Sequence, residues 1–136
     1  MSDAARVHQD MLEAVTEQDI ERFRALLHPD YTYTGNDGVE LPGVDAGVAQ
    51  VEIYVRAFPD LTFELRCQYA EGNASIMEFT ARGTHKEELA GIPATGRQVT
   101  VPVCDIIEVR DGKVYREREY YDVMSMMQQL GVVPTS

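Results

Sequence analysis

At 136 residues, with 44% apolar and 26% charged side chains, the chain suits one globular domain over residues 1–136 and is too short for a second with its own core. A formal net charge of −11 argues against nucleic acid, whose phosphates need clustered Lys and Arg. Met1–Arg6 lacks an apolar leader, no run approaches the ~20 apolar residues of a membrane span, and Cys67 and Cys104 lack C-x-x-C spacing. A cytoplasmic protein with free thiols and no membrane partner is therefore expected.

Along the chain, Val7, Met11, Ala14 and Val15 recur at helical spacing between Ala4 and Thr16. A second short helix carries Ile20, Phe23, Leu26 and Leu27, and His28-Pro29-Asp30 closes it. Tyr31–Thr34 is a short β-rich run ending in the turn Gly35-Asn-Asp-Gly38. A third helix is expected from Asp45, as N-cap, to Phe58, with Val48, Val51, Tyr54, Val55 and Phe58 as its buried stripe. The period then changes to alternation. Thr62–Tyr69, Ile76–His85, Gln98–Val109 and Lys113–Asp122 read as an antiparallel meander. Val123–Leu130 is a closing helix stopped by Gly131. Helices, then strands, then a helix make an α+β chain.

Asp111-Gly112 is a two-residue hairpin signal, and it sets a register in which Arg110 pairs with Lys113, Asp105 with Arg118, Val103 with Tyr120 and Val101 with Asp122. One face then carries Val101, Val103, Asp105, Ile107, Val109, Val114, Arg116, Arg118, Tyr120 and Asp122. The other carries Cys104, Ile106, Glu108, Tyr115, Glu117, Glu119 and Tyr121. A bulge would move the register by one and exchange the two faces. The first face is the richer in chemistry, because Asp105 lies across from Arg118 with Tyr120 and Asp122 in the same row.

Asp122 has two readings. Directly before Val123 it suits a helix cap; beside apolar walls such as Val101 and Met77 it suits a general acid/base with a raised pKa. His85 opens the loop Gly83–Gly96 and reads either as a loop anchor or as a catalytic group. Tyr31, Tyr33 and Tyr120 read as core or as pocket hydroxyls. His8, His28 and His85 are scattered singly, which argues against a metal site. Neither a Walker loop nor G-x-S-x-G occurs.

Phe58-Pro59-Asp60-Leu61, Gly83-Thr84-His85, Gly91-Ile92-Pro93-Ala94-Thr95-Gly96-Arg97, Asp111-Gly112-Lys113-Val114, Tyr120-Tyr121-Asp122 and Gln129-Leu130-Gly131 follow one another in an order that resembles the SnoaL-like polyketide cyclases, within the superfamily of nuclear transport factor two and ketosteroid isomerase. The resemblance implies a cone-shaped α+β barrel around a pocket for a hydrophobic small molecule. It also implies ring closure by intramolecular aldol condensation without metal or organic cofactor, with the acid/base aspartate on Asp122. Tyr120 stands where such cyclases often carry histidine, and Lys86-Glu87-Glu88 replaces a small residue and glycine.

The leading expectation is a cofactor-free enzyme. In it Asp122 removes an acidic C–H proton, and Tyr120, His85 or Arg118 steadies the oxyanion. Tyr33, Asp105, Met77 and Val101 complete the pocket. An epoxide hydrolase-like relative would use Asp105, Arg118 and Asp122 to orient water. A hydroxylase-type relative or a non-catalytic binding domain are further alternatives. Tyr115, Ile106 and Tyr121 on the outer face suggest a homodimer or higher homo-oligomer.

Overall fold

The computed structural model describes residues 2–133. Helix α1 (Asp3–Thr16) begins at Ser2, whose hydroxyl accepts the Ala5 N–H at 3.1 Å. Its buried face carries Ala4, Val7, Met11 and Ala14, and among these apolar side chains lies His8. Helix α2 (Ile20–Ala25) is capped by Asp19 and ends earlier than the sequence implies. Strand β1 (Leu27–Thr34) takes over at Leu27 and runs through His28-Pro29-Asp30. Pro29 is tolerated there because the ladder to the neighbouring strand breaks between Leu27 and Thr32, so its missing N–H costs no ladder bond.

Strand β2 (Glu40–Pro42) is only three residues long and carries no alternation that a sequence could reveal. Helix α3 (Val44–Ala57) starts after Gly43, whose φ of 103° only glycine holds comfortably. Asp45 is therefore in the first turn rather than at the cap, and it pairs with Arg24 at 2.7 Å. Strands β3 (Thr62–Glu71), β4 (Ala74–Thr84), β5 (Gln98–Arg110) and β6 (Lys113–Tyr121) form the expected meander, and α4 (Val123–Leu130) ends at a left-handed Gly131.

The sheet order is β2-β1-β6-β5-β4-β3. Its β1–β6 contact is parallel, so the first strand joins the far side of the meander. The sheet curves but does not close, which leaves β2 and β3 as edges and makes the expected barrel an open one. α1 lies across β3, β4 and β5, α3 against β1, and α4 against β5. Phe23, Tyr31, Ile107 and Val114 anchor one part of the core; Phe58, Met77, Phe79 and Met126 anchor the other.

Two bulges decide which side chains face the helices. The β5–β6 turn has the expected two residues, both with positive φ (Asp111 54°, Gly112 74°), and Arg110 pairs with Lys113 and Val109 with Val114. Glu108 then pairs with Arg116, so Tyr115 is an extra residue. Beyond it Ile107 faces Glu117, Asp105 faces Glu119 and Val103 faces Tyr121. This corrects the register expected above. Tyr115 is held outside under Arg110, whose guanidinium is 4.2 Å from the ring centroid. In β3 the register likewise slips between Leu65 and Cys67, which brings Gln68 opposite the inward Met77.

Candidate acid/base site

Between the sheet and the helices is a cavity of about 130 Å³. Its walls are mostly apolar, formed by Phe58, Phe63, Met77, Phe79, Val101 and Met126. Its chemistry is gathered on one side, where Asp105 of β5 and Glu117 and Glu119 of β6 project inward beside His8 and Tyr33. Oxygen atoms of the three carboxyls lie within 4.8 Å of one another. Asp105 and Glu117 are only 4% and 8% exposed, which makes their charge expensive to keep.

Each carboxyl has its own partners. Tyr31 donates to Glu117 Oε1 at 2.6 Å and Tyr33 to Glu119 Oε1 at 3.1 Å. Tyr31 reaches Glu117 because its ring lies flat on α3 at Gly47, where a Cβ would stand 2.3 Å from the ring. His8 Nε2 is 2.8 Å from Asp105 Oδ2, and His8 Nδ1 is 2.7 Å from Ser75 Oγ. Asp105 Oδ1 meets no N–H or O–H donor. The Glu117 carboxyl lies beside the same aspartate, and two buried carboxyls this close favour one proton held between them.

Burial, and next the charge of Glu117, push the Glu119 carboxyl up to about 7. Burial also raises Asp105 and Glu117; in Glu117 the adjacent Asp105 adds to the rise. Burial lowers His8 to about 4, so its imidazole is neutral at neutral pH. A second pair of hydroxyls lines the cavity. Tyr54 of α3 and Tyr121 of β6 are hydrogen-bonded to each other, with their rings edge to face at 6.2 Å. Two such hydroxyls share one hydrogen and leave the other free to donate. Burial raises both phenols, which keeps that hydrogen in place.

Tyr33, Asp105, Met77 and Val101 line the cavity. Four other candidates lie elsewhere. Asp122 is exposed, and its Oδ1 accepts the Ser125 N–H at 2.9 Å as the cap of α4. Tyr120 is 45% exposed on the outer face. Arg118 also points outward and pairs with Glu108 at 3.0 Å. The bulge at Tyr115 is the cause for both, since it turns even-numbered residues of β6 away from the cavity. The Asp105, Arg118 and Asp122 set suggested for water activation is thereby dispersed. His85 is fully buried outside the cavity wall, where Nδ1 accepts the Thr95 N–H at 3.2 Å and the ring packs on Phe58. It ties down the loop that follows it.

The sequence and the fold have counterparts among known proteins. The sequence matches the family model for SnoaL-like polyketide cyclase over residues 5–130. The chain belongs to the SnoaL-like polyketide cyclase family. It is 27% identical over 124 residues to aklanonic acid methyl ester cyclase DnrD of Streptomyces peucetius, covering 89% of this chain and 86% of that protein. Its fold is similar to that of AclR from Streptomyces galilaeus, with a TM-score of 0.89 at 24% identity over 100% of this chain and 85% of the other. TsrD from Streptomyces laurentii has a TM-score of 0.84 at 26% identity, covering 96% of each chain.

In this SnoaL-like chain the residues that sequence reasoning missed are Glu117, Glu119, Tyr121 and His8. The first three fall on the wrong face under a regular hairpin register. His8 reads as a polar interruption of an apolar helix face until its partner on β5, 97 residues away, is known. The only available signal was that β6 carries glutamates and arginines at alternate positions, so either register buries charge. The acidic trio is also spaced closely enough for a divalent ion to bridge it, a possibility the scattered histidines did not suggest.

Proposed function

We propose that this protein is a cofactor-free acid/base enzyme that closes a ring in a hydrophobic, polyketide-derived ester or ketone by intramolecular aldol chemistry. The observation that carries this reading is the gathering of three carboxyls on one wall of an otherwise apolar cavity. Glu119 is the base. Its carboxyl, at about 7, combines a usable anionic fraction with real basicity at neutral pH, and Tyr33 holds its other oxygen.

Glu119 removes a proton from a carbon flanked by carbonyls, and the C–H electron pair becomes an enolate. The enolate carbon attacks a second carbonyl of the same molecule, forming the ring C–C bond and leaving an alkoxide. The proton on Glu119 then passes to that alkoxide, which restores the carboxylate. The free hydrogen of the Tyr54–Tyr121 pair donates to the enolate oxygen. Tyr121 is two residues from Glu119 on the same strand face, ~6–7 Å along it, which suits a base at carbon and a donor at the attached carbonyl. Among the described residues no Lys or Arg lines the cavity, so a neutral ester suits it better than a free acid.

The test is exchange of the acidic C–H of an aromatic β-keto ester in D₂O, followed by NMR, together with conversion of aklanonic acid methyl ester. Glu119→Gln is expected to lower both by ~10²–10⁴-fold while the ester still binds. Undiminished exchange in that variant would remove Glu119 from the mechanism. Binding without exchange or conversion in the native protein would leave a non-catalytic ligand-binding domain.

The same proposal places the enzyme in the cytoplasm as a homodimer, or a larger assembly, packed through the outer sheet face. No helix of the described residues is long and apolar enough to cross a membrane. The outer face exposes Tyr69, Ile76 and Tyr120, whereas Tyr121, first expected there, is turned into the cavity. Light scattering that gives a monomer at micromolar concentration removes the dimer.

A further inference from the structure

We infer that His8 is a positioning residue of the carboxyl set: a neutral imidazole whose Nε2–H donates to Asp105, keeps that aspartate the resting anion, and so leaves the shared proton on Glu117 and the titration to Glu119. The geometry stands alone; its catalytic consequence rests on the acid/base reading above.

The direction of the hydrogen bonds follows from the far end of the chain. Gln68 Nε2 donates to the Ala5 carbonyl and to Ser75 Oγ, both at 3.0 Å, while Gln9 donates to Gln68 Oε1 at 2.7 Å. A carbonyl can only accept, so the Gln68 amide has one orientation. Ser75 is fully buried, and among the described residues its one remaining side-chain neighbour in hydrogen-bond reach is His8 Nδ1. The serine hydrogen therefore goes to Nδ1, because the opposite arrangement would strand it without an acceptor. Nδ1 is then an acceptor, the imidazole proton is on Nε2, and it is donated to Asp105 Oδ2.

Ser75, His8 and Asp105 have the residue types of a hydrolase triad but cannot act as one. Ser75 does not reach the cavity, and its oxygen is engaged by Gln68. What the chain does is deliver a donor without delivering a charge. A His–Asp contact at this distance is ordinarily an ion pair, which would draw all three carboxyls down toward their usual range. Protonating His8 would need a hydrogen on Nδ1, where the serine hydrogen already points. The groups facing His8 from α1, β3 and β4 are the uncharged Ala5 carbonyl, Gln9, Gln68 and Ser75. The titratable ones are Asp105 on β5, Glu117 and Glu119 on β6, and Tyr31 and Tyr33 behind them on β1.

The experiment is ¹⁵N NMR of the His8 ring in the full chain, joined to the pH–rate profile of ester C–H exchange. The native protein should show Nδ1 without a proton and Nε2–H throughout pH 5.5–8. Ser75→Ala should let His8 titrate toward the ordinary histidine value of about 6.5. His8→Phe strips Asp105 of its donor, so the shared proton passes to Asp105, Glu117 becomes the anion beside Glu119, and the acid limb of the profile rises by about one pH unit. His8→Gln, which retains an N–H, should restore the limb. A native Nδ1–H tautomer, or unaltered His8 titration in Ser75→Ala, overturns the inference. So does a His8→Phe profile with reduced height and an unmoved limb. The two NMR outcomes do not depend on the Glu119→Gln result, which judges the acid/base reading separately.

Discussion

The cavity has two sides built by different kinds of strand. β4 and β5 pair without interruption from Ala74 to Thr84, and their inward side chains are Met77, Phe79, Ala81, Val99, Val101 and Val103. β3 and β6 each carry one extra residue, and beyond it they turn Gln68, Glu117, Glu119 and Tyr121 inward. Asp105 is the one titratable side chain that the uninterrupted pair contributes to the wall, and it is the one that the polar chain from β3 and α1 supports. Regular strands give the cavity its shape and dryness. Bulged strands give it its acid/base groups. The division makes physical sense, because a bulge can re-aim polar side chains without disturbing the ladder that holds the apolar wall.

If that division is right, substitutions on the two sides fail differently. Glu119→Gln is expected to reduce ester C–H exchange by ~10²–10⁴-fold and to leave the denaturation midpoint unchanged or higher, since it removes a carboxyl that burial disfavours. Met77→Ala, on the regular side, is expected to cost ~2–5 kcal/mol of stability because Met77 is fully buried between its neighbours. Activity assays beside urea titrations decide it. A Glu119→Gln protein that unfolds as readily as Met77→Ala would make the bulged side structural.

The Tyr54–Tyr121 pair gives the next largest effect and a distinctive pattern. Whichever ring is changed to phenylalanine, the survivor still has a hydroxyl hydrogen to donate, so each single variant should lose less than about tenfold. The double variant has none and should lose ~10²–10³-fold in kcat. Additive losses from the two single changes would show that the pair acts as a latch between α3 and β6 and nothing more.

How legible these sides were follows from the same difference. Val101 and Asp105 of β5 and Met77 of β4, named from the sequence as pocket residues, all line the cavity, because nothing interrupts the pairing of these two strands. The helices were readable from their apolar stripes, although α2 stops at Ala25 and Gly43 rather than Asp45 precedes α3; α4 was bounded correctly from Val123 to Leu130 by its cap and by Gly131. In β6 the two-residue turn was right and the register still failed at the third residue after it. Tyr115 has no local property that marks it as the extra residue; it is stabilised by Arg110, Arg116 and Glu108, contacts that exist only after the hairpin has formed. His8 and Ser75 were illegible for a related reason, since each is satisfied by residues remote in sequence.

The acidic side should also give stability an unusual pH dependence. Carboxyls whose folded pKa is raised contribute stability at low pH, where both states are protonated, and lose it as pH climbs through the folded value. Glu119 does so up to about 7, and Asp105 and Glu117 act in the same direction. His8, lowered to about 4, opposes them, since its contribution is present above about 6.5 and disappears as pH falls toward 4. Two retained protons, one on Glu119 and one shared by Asp105 and Glu117, outweigh the single histidine, so stability should decline between about pH 5 and 8, each retained proton giving at most ~1.4 kcal/mol per pH unit. Urea midpoints across that interval measure the slope, and Glu119→Gln should flatten it. A native slope of the opposite sign would mean the trio is ionised in the folded protein.

The smallest expected effect concerns Asp122, the carboxylate that family resemblance placed in the pocket. It is on β6's own continuation, one residue beyond Tyr121, so the bulge that brings Glu119 and Tyr121 inward sends Asp122 out. There it accepts the Ser125 N–H and holds the first turn of α4. Asp122→Ala should therefore cost about 1 kcal/mol of stability, as loss of a helix cap generally does, with ester exchange unchanged when assayed well below the melting temperature. Asp122→Ser, which keeps a capping oxygen, should recover the stability. Loss of exchange in both variants at native-like stability would return the acid/base role to Asp122, and would require the β5–β6 register in solution to be the regular one.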